Sequence, residues 1–294
     1  SGYLEMLNNI SRYIAARYLA RMNAKHLSQY PQLVGYFFDT ITSAIHIDGR
    51  FERDELYLLT KNVFPKLNNE GDCLDIGANI GNHSLAFSPF FKNVISLEPH
   101  PITFRLLEIN AELVSNVTAY NVGASNVRSS LKVAINKLNQ GATSIGVVTT
   151  VDTPTVTFNL VSIDELDEVH STRPISFIKI DVEGHEVEAI LGAENTIRKH
   201  TPVVAIEVLP NDIENGTSAA VELLRNFGYN NFYEMRERGW IGRLSRRPKK
   251  LVRSLITLLT GVRPSKAAEL AEVISLEKRS YPMLLCTTEL RLEP

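Results

Sequence analysis

Residues 73–84 read Cys-Leu-Asp-Ile-Gly-Ala-Asn-Ile-Gly-Asn-His-Ser, and residues 96–101 read Ser-Leu-Glu-Pro-His-Pro. In the first stretch, a short apolar run ends in a glycine-rich turn, and the spacing of apolar residues typical of a helix follows. A second apolar run, residues 93–97, then ends at Glu98. Two apolar runs separated by a helix pattern predict a βαβ unit, which has a crevice above the ends of its strands.

The distance between the turn and the acidic residue predicts what the crevice binds. Glu98 lies 21 residues after Gly77. Glycine allows a backbone with positive φ and a close approach to a bound molecule. An acidic residue about 20 residues beyond such a turn is placed to accept the hydroxyls of a ribose. The sequence therefore predicts a cofactor that contains adenosine.

The turn favours one such cofactor over another. A dinucleotide fingerprint has three glycines, whereas this turn has Gly77 and Gly81, with Ser84 where a third is expected. Asp75 precedes the turn, and its carboxylate would repel a pyrophosphate but suits a cationic ligand. S-adenosylmethionine carries a sulfonium and an ammonium group. The pattern is therefore more typical of S-adenosylmethionine binding than of nicotinamide dinucleotide binding.

A third stretch extends the pattern. Residues 178–186 read Ile-Lys-Ile-Asp-Val-Glu-Gly-His-Glu, an apolar strand that ends in acids and is followed by a glycine and a helix. Taken together and in this order, the three stretches resemble the FkbM-type family of S-adenosylmethionine-dependent methyltransferases, over about residues 71–208. The resemblance implies a Rossmann-like class I α/β fold with a mostly parallel seven-stranded sheet. It also implies methyl transfer, usually to oxygen.

We predict an O-methyltransferase that acts on a hydroxyl of a sugar, polysaccharide or glycolipid precursor. One alternative is a methyltransferase of a small-molecule natural product. Two others belong to different classes: a nicotinamide-dependent oxidoreductase, and a non-catalytic module that binds S-adenosylmethionine. The sequence identifies neither the acceptor nor the oligomeric state.

The rest of the chain supplies the expected elements. We predict strands at 72–76, 93–97, 117–122, 131–135, 156–161, 175–181, 203–208, 229–235 and 282–288, and helices at 81–91, 101–114, 185–199 and 217–227. The tetrapeptide 162–165 is typical of a capped helix start.

The predicted domain organisation has two parts. We expect residues 1–50 to form an N-terminal helical cap with helices at 3–28 and 32–45, and a further helix to span 52–63. The methyltransferase domain is residues 51–294, with a basic helical insertion at 236–280. A polar loop, 140–146, is either a lid or a surface loop.

Candidate site residues follow from the turn, the strand ends and the family resemblance. The predicted cofactor-binding residues are Asp75, Gly77, Ala78, Asn79, Gly81, Asn82, His83, Ser84, Glu98, Pro99, His100, Val122 and Asp181. The catalytic candidates are Asp181, Glu183, His185 and Glu207, because a hydroxyl nucleophile needs a base nearby. Three of these carboxylates, Asp181, Glu183 and Glu207, are an alternative Mg²⁺ site.

A basic segment lies outside the family resemblance. Nine Lys and Arg residues and the single acid Glu237 fall between residues 236 and 263, and apolar residues recur at helical spacing from Leu251 to Val262. Three interpretations stay open: contact of residues 243–263 with an anionic membrane, an acidic glycan acceptor, or a packed helix with solvated charges. Aromatic residues are scarce here, so we expect no nucleic-acid binding.

Composition sets the remaining expectations. The chain has 294 residues, 44% of them hydrophobic, and a formal net charge of −2, which is ordinary for a globular protein. Cys73 and Cys286 lie in apolar runs and are expected to be reduced core residues of a cytoplasmic protein. We expect no signal peptide and no transmembrane helix, with membrane contact at most peripheral to the inner face.

Overall fold

The computed structural model describes residues 2–134, 155–167, 169, 173–237, 251–252 and 268–292. The chain divides into two compact units. The first, called here the basic unit for its charge, comprises Ser1–Asp54 and Glu237–Ala267, and the second, the sheet unit, comprises Glu55–Arg236 and Ala268–Pro294.

The sheet unit is built on one large sheet. Its eight strands, in spatial order, are β10 (Ala268–Glu272), β9 (Asn231–Glu237), β11 (Tyr281–Thr287), β8 (Val203–Val208), β7 (Ile175–Ile180), β1 (Asp72–Ile76), β2 (Val94–Leu97) and β3 (Val117–Tyr120). The strands from β8 to β3 pair in parallel, and β11 pairs antiparallel with β8 and β9. This arrangement confirms the predicted α/β class with a mostly parallel sheet.

The sheet has one more strand than predicted. The additional strand, β10, lies inside the segment 236–280 that the sequence assigned to a helical insertion. It continues the sheet beyond β9, and the backbone N–H of Val273 donates to the carbonyl of Phe232 at 2.8 Å. The helical prediction for residues 268–272 was therefore wrong.

Helices cover both faces of the sheet, and apolar clusters lie on each side of it. The bounds of the helices in this unit after β1 are Asn82–Phe87 (α4), Pro101–Ala111 (α5), Glu186–Leu191 (α6), Glu194–His200 (α7) and Ala219–Asn226 (α8). A helix predicted as continuous over 185–199 is thus two helices. It is interrupted near Gly192, where a Cβ would lie 2.0 Å from the carbonyl oxygen of Ser125, so the chain bends where another backbone passes.

A second, three-stranded sheet follows β3. It consists of β4 (Gly123–Ala124), β5 (Ser129–Ala134) and β6 (Thr155–Val161), with β6 in the middle. The predicted helix start at 162–165 is only a single 3-10 turn, Ile163–Glu165. Its Ser162 hydroxyl donates to the carbonyl of Gly192 at 2.8 Å instead of capping the turn.

The basic unit contains α1 (Gly2–His26) and α2 (Thr40–Asp48), and α3 (Arg53–Leu58) spans its boundary with the sheet unit. The predicted helix at 32–45 was wrong in position. Asp39 ends the preceding coil because its Oδ2 accepts from the backbone N–H groups of Ile41 (3.1 Å) and Thr42 (3.4 Å), which makes it the N-cap of α2.

Two predicted features fall outside the described residues: the loop 140–146, and most of the basic helix at 243–263. Among the helices of the described ranges, none has the length and apolarity needed to cross a membrane.

Candidate functional site

The turn after β1 has a tightly determined backbone. The backbone N–H groups of Gly77 and Ala78 both donate to the carbonyl of Leu97, at 3.0 and 2.9 Å. Gly77, Asn79 and Gly81 all have positive φ, at 78°, 51° and 88°. Left-handed residues at this spacing fold the chain back over the ends of β1 and β2 before α4 begins.

Gly77 is required by the backbone of a neighbouring strand. A Cβ at Gly77 would lie 1.8 Å from the carbonyl oxygen of Asp181, which directly follows β7. The sequence assigned this glycine to making room for a ligand. In the structure the nearest obstacle to a side chain is protein, and the glycine allows the ends of β1 and β7 to approach.

Glu98 joins the turn to the chain after β2. Its Oε2 accepts from the backbone N–H of Asn79 at 3.0 Å, and its Oε1 accepts from the backbone N–H of His100 at 2.9 Å. Burial raises the pKa of Glu98 to about 7, against the opposing effect of the two backbone hydrogen bonds. Each carboxylate oxygen has more than one lone pair, so Glu98 retains the capacity to accept a ligand hydroxyl.

Asp75 lies beneath the turn in a buried polar network. Its side chain is fully buried, and its Oδ2 accepts from the hydroxyl of Ser84 at 2.6 Å, which in turn accepts from Ser96 at 2.9 Å. Its Oδ1 lies 3.6 Å from Nζ of Lys179. Direct contact between Asp75 and a cationic ligand, as the sequence suggested, does not match this arrangement, because the cation beside Asp75 is Lys179.

Lys179 is a site residue that the sequence analysis missed. It is only 2% exposed on the central strand β7, directly opposite Asp75 in the sheet register. Its Nζ donates to Oδ2 of Asp181 at 3.1 Å, so one ammonium group contacts two carboxylates. A lysine within an apolar strand was the available signal, since lysine is almost never fully buried without a partner.

The catalytic candidate Asp181 is accessible at the end of β7. Its side chain is 32% exposed, and its backbone N–H donates to the carbonyl of Ile76 at 3.1 Å, which fixes it beside the turn. Ile180 pairs with Ile206, so Glu207 is the next residue of the neighbouring strand β8, one position before that strand ends. Glu183 is exposed in the next loop with a φ of 54°.

These carboxylates do not form a metal site in the described parts of the chain. No group of three or more His, Cys, Asp or Glu side chains there is arranged to hold a metal ion. The Mg²⁺ interpretation of Asp181, Glu183 and Glu207 therefore has no geometric support.

His185 contacts protein groups through both ring nitrogens. Its Nε2 lies 3.1 Å from the hydroxyl of Ser125, and its Nδ1 lies 3.5 Å from Oε2 of Glu188. Ser125 follows β4 and is 60 residues away in sequence, a contact that no local pattern signals. The ring therefore links the end of β4 to α6, a geometry that suits positioning better than the direct base role predicted from the sequence.

The other predicted histidines are buried in the fold. His100 is the N-cap of α5, where its Nδ1 accepts from the backbone N–H of Thr103 at 3.3 Å, and its ring meets Phe158 edge-on at 5.9 Å. Burial lowers the pKa of His100, which keeps the ring neutral and able to accept. His83 lies in α4, 6% exposed, beside the ring of Phe87 at 5.8 Å.

The candidate cofactor-binding residues also differ in how deeply they are buried. Ala78, Gly81, Asn82 and Ser84 are buried. The partly exposed residues lie after β1, β2, β3 and β7, and they are Gly77, Asn79, Pro99, Val122 and Asp181. An open edge with a buried carboxylate at Glu98 and an accessible one at Asp181 can bind an adenosine-containing ligand and orient a second molecule beside it.

The sequence of this chain also matches known proteins. Residues 75–233 match the family model described as the methyltransferase FkbM domain. A hexuronic acid methyltransferase of Haloferax volcanii, AglP, is 33% identical over 153 residues, which cover 51% of this chain and 60% of that protein. The chain thus spans less than two thirds of the length of this relative.

Two solved structures of methyltransferases are similar to this chain at low sequence identity. An FkbM methyltransferase from Methylobacillus flagellatus is 19% identical, with 68% of this chain and 49% of that chain covered and a TM-score of 0.36. A precorrin-6y C5,15-methyltransferase from Geobacter metallireducens is 13% identical, with coverage of 83% and 90% and a TM-score of 0.41.

Proposed function

This chain belongs to the FkbM methyltransferase family, and from that premise we propose that it transfers a methyl group from S-adenosylmethionine to a hydroxyl of a sugar acceptor. The observation that carries the proposal is Glu98, a buried carboxylate bonded to the turn after β1 at the open edge of the sheet. The relative named a hexuronic acid methyltransferase supports a sugar acceptor. The free, buried cysteines Cys73 and Cys286 support a cytoplasmic enzyme.

The residues present fit the cofactor. Glu98 would accept the ribose hydroxyls, the backbone of Gly77 and Asn79 would border the amino-acid part, and Pro99 and Val122 would border the adenine. When bound, S-adenosylmethionine supplies a methyl group on a positively charged sulfur. The chain contributes by holding an acceptor in line with that methyl, and positioning of this kind is worth about 7–11 kcal/mol.

Asp181 is the residue that acts on the acceptor. Its partly exposed carboxylate accepts a hydrogen bond from the acceptor hydroxyl and takes the hydroxyl proton as the oxygen is methylated. Nζ of Lys179 donates a hydrogen bond to the Oδ2 atom of Asp181 at 3.1 Å. This hydrogen bond orients the carboxylate at the end of β7. His185 contributes by fixing the loop after β7 against Ser125.

The test is a methyl-transfer assay with tritiated S-adenosylmethionine on uronic-acid-containing oligosaccharides and on matched neutral ones. A product heavier by one methyl group, whose new methyl is released only by ether cleavage, supports O-methylation. Binding of NAD in place of S-adenosylhomocysteine would instead support an oxidoreductase. Binding of S-adenosylhomocysteine without turnover on any sugar or small-molecule hydroxyl would support a non-catalytic module.

Asp181→Asn is expected to lower kcat on the order of 10²–10⁴-fold with little change in the affinity for S-adenosylhomocysteine, because the amide cannot take the proton. Steady-state kinetics and calorimetry measure the two effects. Glu194→Gln is the matched control, since it removes a partly exposed carboxylate that also has a basic partner, Arg198 at 2.8 Å. An Asp181→Asn enzyme with the wild-type kcat would remove Asp181 from the reaction.

Cofactor affinity is expected to depend on pH through Glu98. Since the pKa of Glu98 is raised to about 7, the charged acceptor forms as pH rises through that value, and affinity for S-adenosylhomocysteine should increase about tenfold from pH 6 to pH 8. The stability of the ligand-free protein should show the opposite trend, because a raised carboxyl pKa contributes stability that is lost as pH rises toward 7.

Glu98→Gln should flatten this pH profile and weaken binding by about 10- to 100-fold, as a charged acceptor is lost. Calorimetry on the folded variant measures both effects. Glu108→Gln, an exposed acid on α5, is the control and should keep the wild-type profile. An unchanged affinity in Glu98→Gln would show that the carboxylate does not contact the ligand.

A further inference from the structure

Charge is distributed very unequally between the two units. The basic unit, residues 1–54 and 237–267, contains 15 Lys and Arg against six Asp and Glu, a formal charge of +9. The sheet unit contains 16 against 27, a formal charge of −11. The overall net charge of −2 conceals this asymmetry, and the basic unit by itself is attracted to an anionic surface.

Helix α1 of the basic unit exposes apolar and basic residues together on one face. Ile10, Tyr13 and Ile14 are 47%, 65% and 56% exposed. Arg17 and Arg21 follow at helical spacing and are exposed too, with the Arg17 guanidinium 6.0 Å from the Tyr13 ring centroid. Apolar and basic side chains are therefore exposed together along this face of α1.

The turn before α2 exposes two adjacent aromatic side chains. Phe37 is 89% exposed and Phe38 is 100% exposed. The turn is held by the N-cap Asp39 and by a hydrogen bond from the Thr42 hydroxyl to the carbonyl of Tyr36. Phe38 has a φ of 65°, a conformation that is a genuine outlier for a bulky residue. The fold thus holds two large apolar groups in solvent at a conformational cost.

Leu251 adds a further exposed apolar group to the same unit. It is 70% exposed and directly follows Lys249 and Lys250 in the sequence. Apolar and basic residues are therefore adjacent here as well as on α1. Large exposed apolar side chains in a unit with excess positive charge match the chemistry of an anionic bilayer, which has phosphates outside and acyl chains beneath.

We propose that the basic unit docks on an anionic lipid bilayer, with Phe37 and Phe38 entering the acyl-chain boundary and the arginines and lysines contacting lipid phosphates. An acidic polysaccharide would account for the charge but not for two adjacent exposed phenylalanines. The inference is independent of the proposed methyl transfer, because none of its residues belongs to the candidate site.

The first test measures binding of the full chain to phosphatidylcholine vesicles with and without phosphatidylglycerol, by flotation. Binding is expected only with phosphatidylglycerol. Phe37→Ser/Phe38→Asn should lower the partition coefficient at least about tenfold, because two exposed apolar side chains are removed without touching the core. The control Val127→Ser/Ile274→Ser alters exposed apolar residues of the sheet unit and should bind as wild type.

The second test separates charge from insertion. Glu replacement of Arg246, Arg247, Lys249 and Lys250 should abolish vesicle binding at low salt, and wild-type binding should weaken as salt shortens the screening length to about 8 Å near physiological ionic strength. The variant with four charge reversals and the Phe37→Ser/Phe38→Asn variant should both bind S-adenosylhomocysteine with the wild-type affinity. Three outcomes overturn the proposal: equal binding to neutral vesicles, binding to soluble polyglucuronate but not to anionic vesicles, or a stable dimer that buries Phe37 and Phe38 without lipid.

Discussion

Replacing Lys179 with methionine is expected to lower the free energy of unfolding by about 3–5 kcal/mol, the cost of breaking a buried charge pair by removing one partner. Lys179 is 2% exposed, and its ammonium is the cation beside the fully buried Asp75 and the partly exposed Asp181. Methionine fills a similar volume, so the loss reports charge more than packing. Urea unfolding of the ligand-free protein measures it.

An exposed lysine supplies the matched control. Lys92 lies 3.1 Å from Glu70, the same N–O distance as the Lys179–Asp181 pair, but the two side chains are 48% and 68% exposed. Lys92→Met should cost only about 0–1 kcal/mol, since water already solvates both groups. Adding Asp75→Asn to Lys179→Met should recover part of the loss, because no uncompensated carboxylate then remains in the core.

The same variants separate the structural and the functional consequences of Lys179. If the ammonium directs Asp181, Lys179→Met should lower kcat in the folded enzyme, and adding Asp75→Asn should recover part of the stability without restoring kcat. Equal losses for Lys179→Met and Lys92→Met would show that the buried network is not electrostatically coupled.

The sequence predicted the central sheet because its signals are local. Residues 72–76 and 203–208 are short, mostly apolar runs that directly follow Gly71 and Pro202, and the structure has strands at those bounds. Glu98 could be predicted as a ribose-binding residue for a similar reason, since its position follows from a fixed distance after a glycine turn. Patterns of this kind depend only on neighbours in the chain.

Features set by distant contacts were not predictable. Residues 268–272 read Ala-Glu-Leu-Ala-Glu, a composition that favours a helix, yet they form β10 because β9 offers an edge to pair with. The contact of His185 with Ser125 crosses 60 residues, and the role of Lys179 depends on its pairing with Asp75 across two strands. Tertiary pairing therefore determined the parts of the site that the sequence missed.

Gly77→Ala is expected to cost about 3–5 kcal/mol, more than its backbone conformation alone explains. A φ of 78° disfavours any residue with a side chain by about 1–2 kcal/mol. In addition, the new Cβ would lie 1.8 Å from the carbonyl oxygen of Asp181 and 2.9 Å from its carbonyl carbon, backbone atoms that cannot rotate away. The ends of β1 and β7 must separate, which strains the hydrogen bond from Asp181 N–H to the carbonyl of Ile76.

Gly228→Ala isolates the conformational part of that cost. Gly228 has a φ of 95°, but no heavy atom lies within 4 Å of the position that a Cβ would take, so this variant should lose only about 1–2 kcal/mol through left-handed strain. Urea unfolding of both variants measures the difference, and calorimetry with S-adenosylhomocysteine measures binding. Equal stability losses would mean that β1 and β7 do not approach at Gly77. A Gly77→Ala protein that is as stable as Gly228→Ala but no longer binds would instead support the original sequence interpretation, in which the glycine makes room for the ligand.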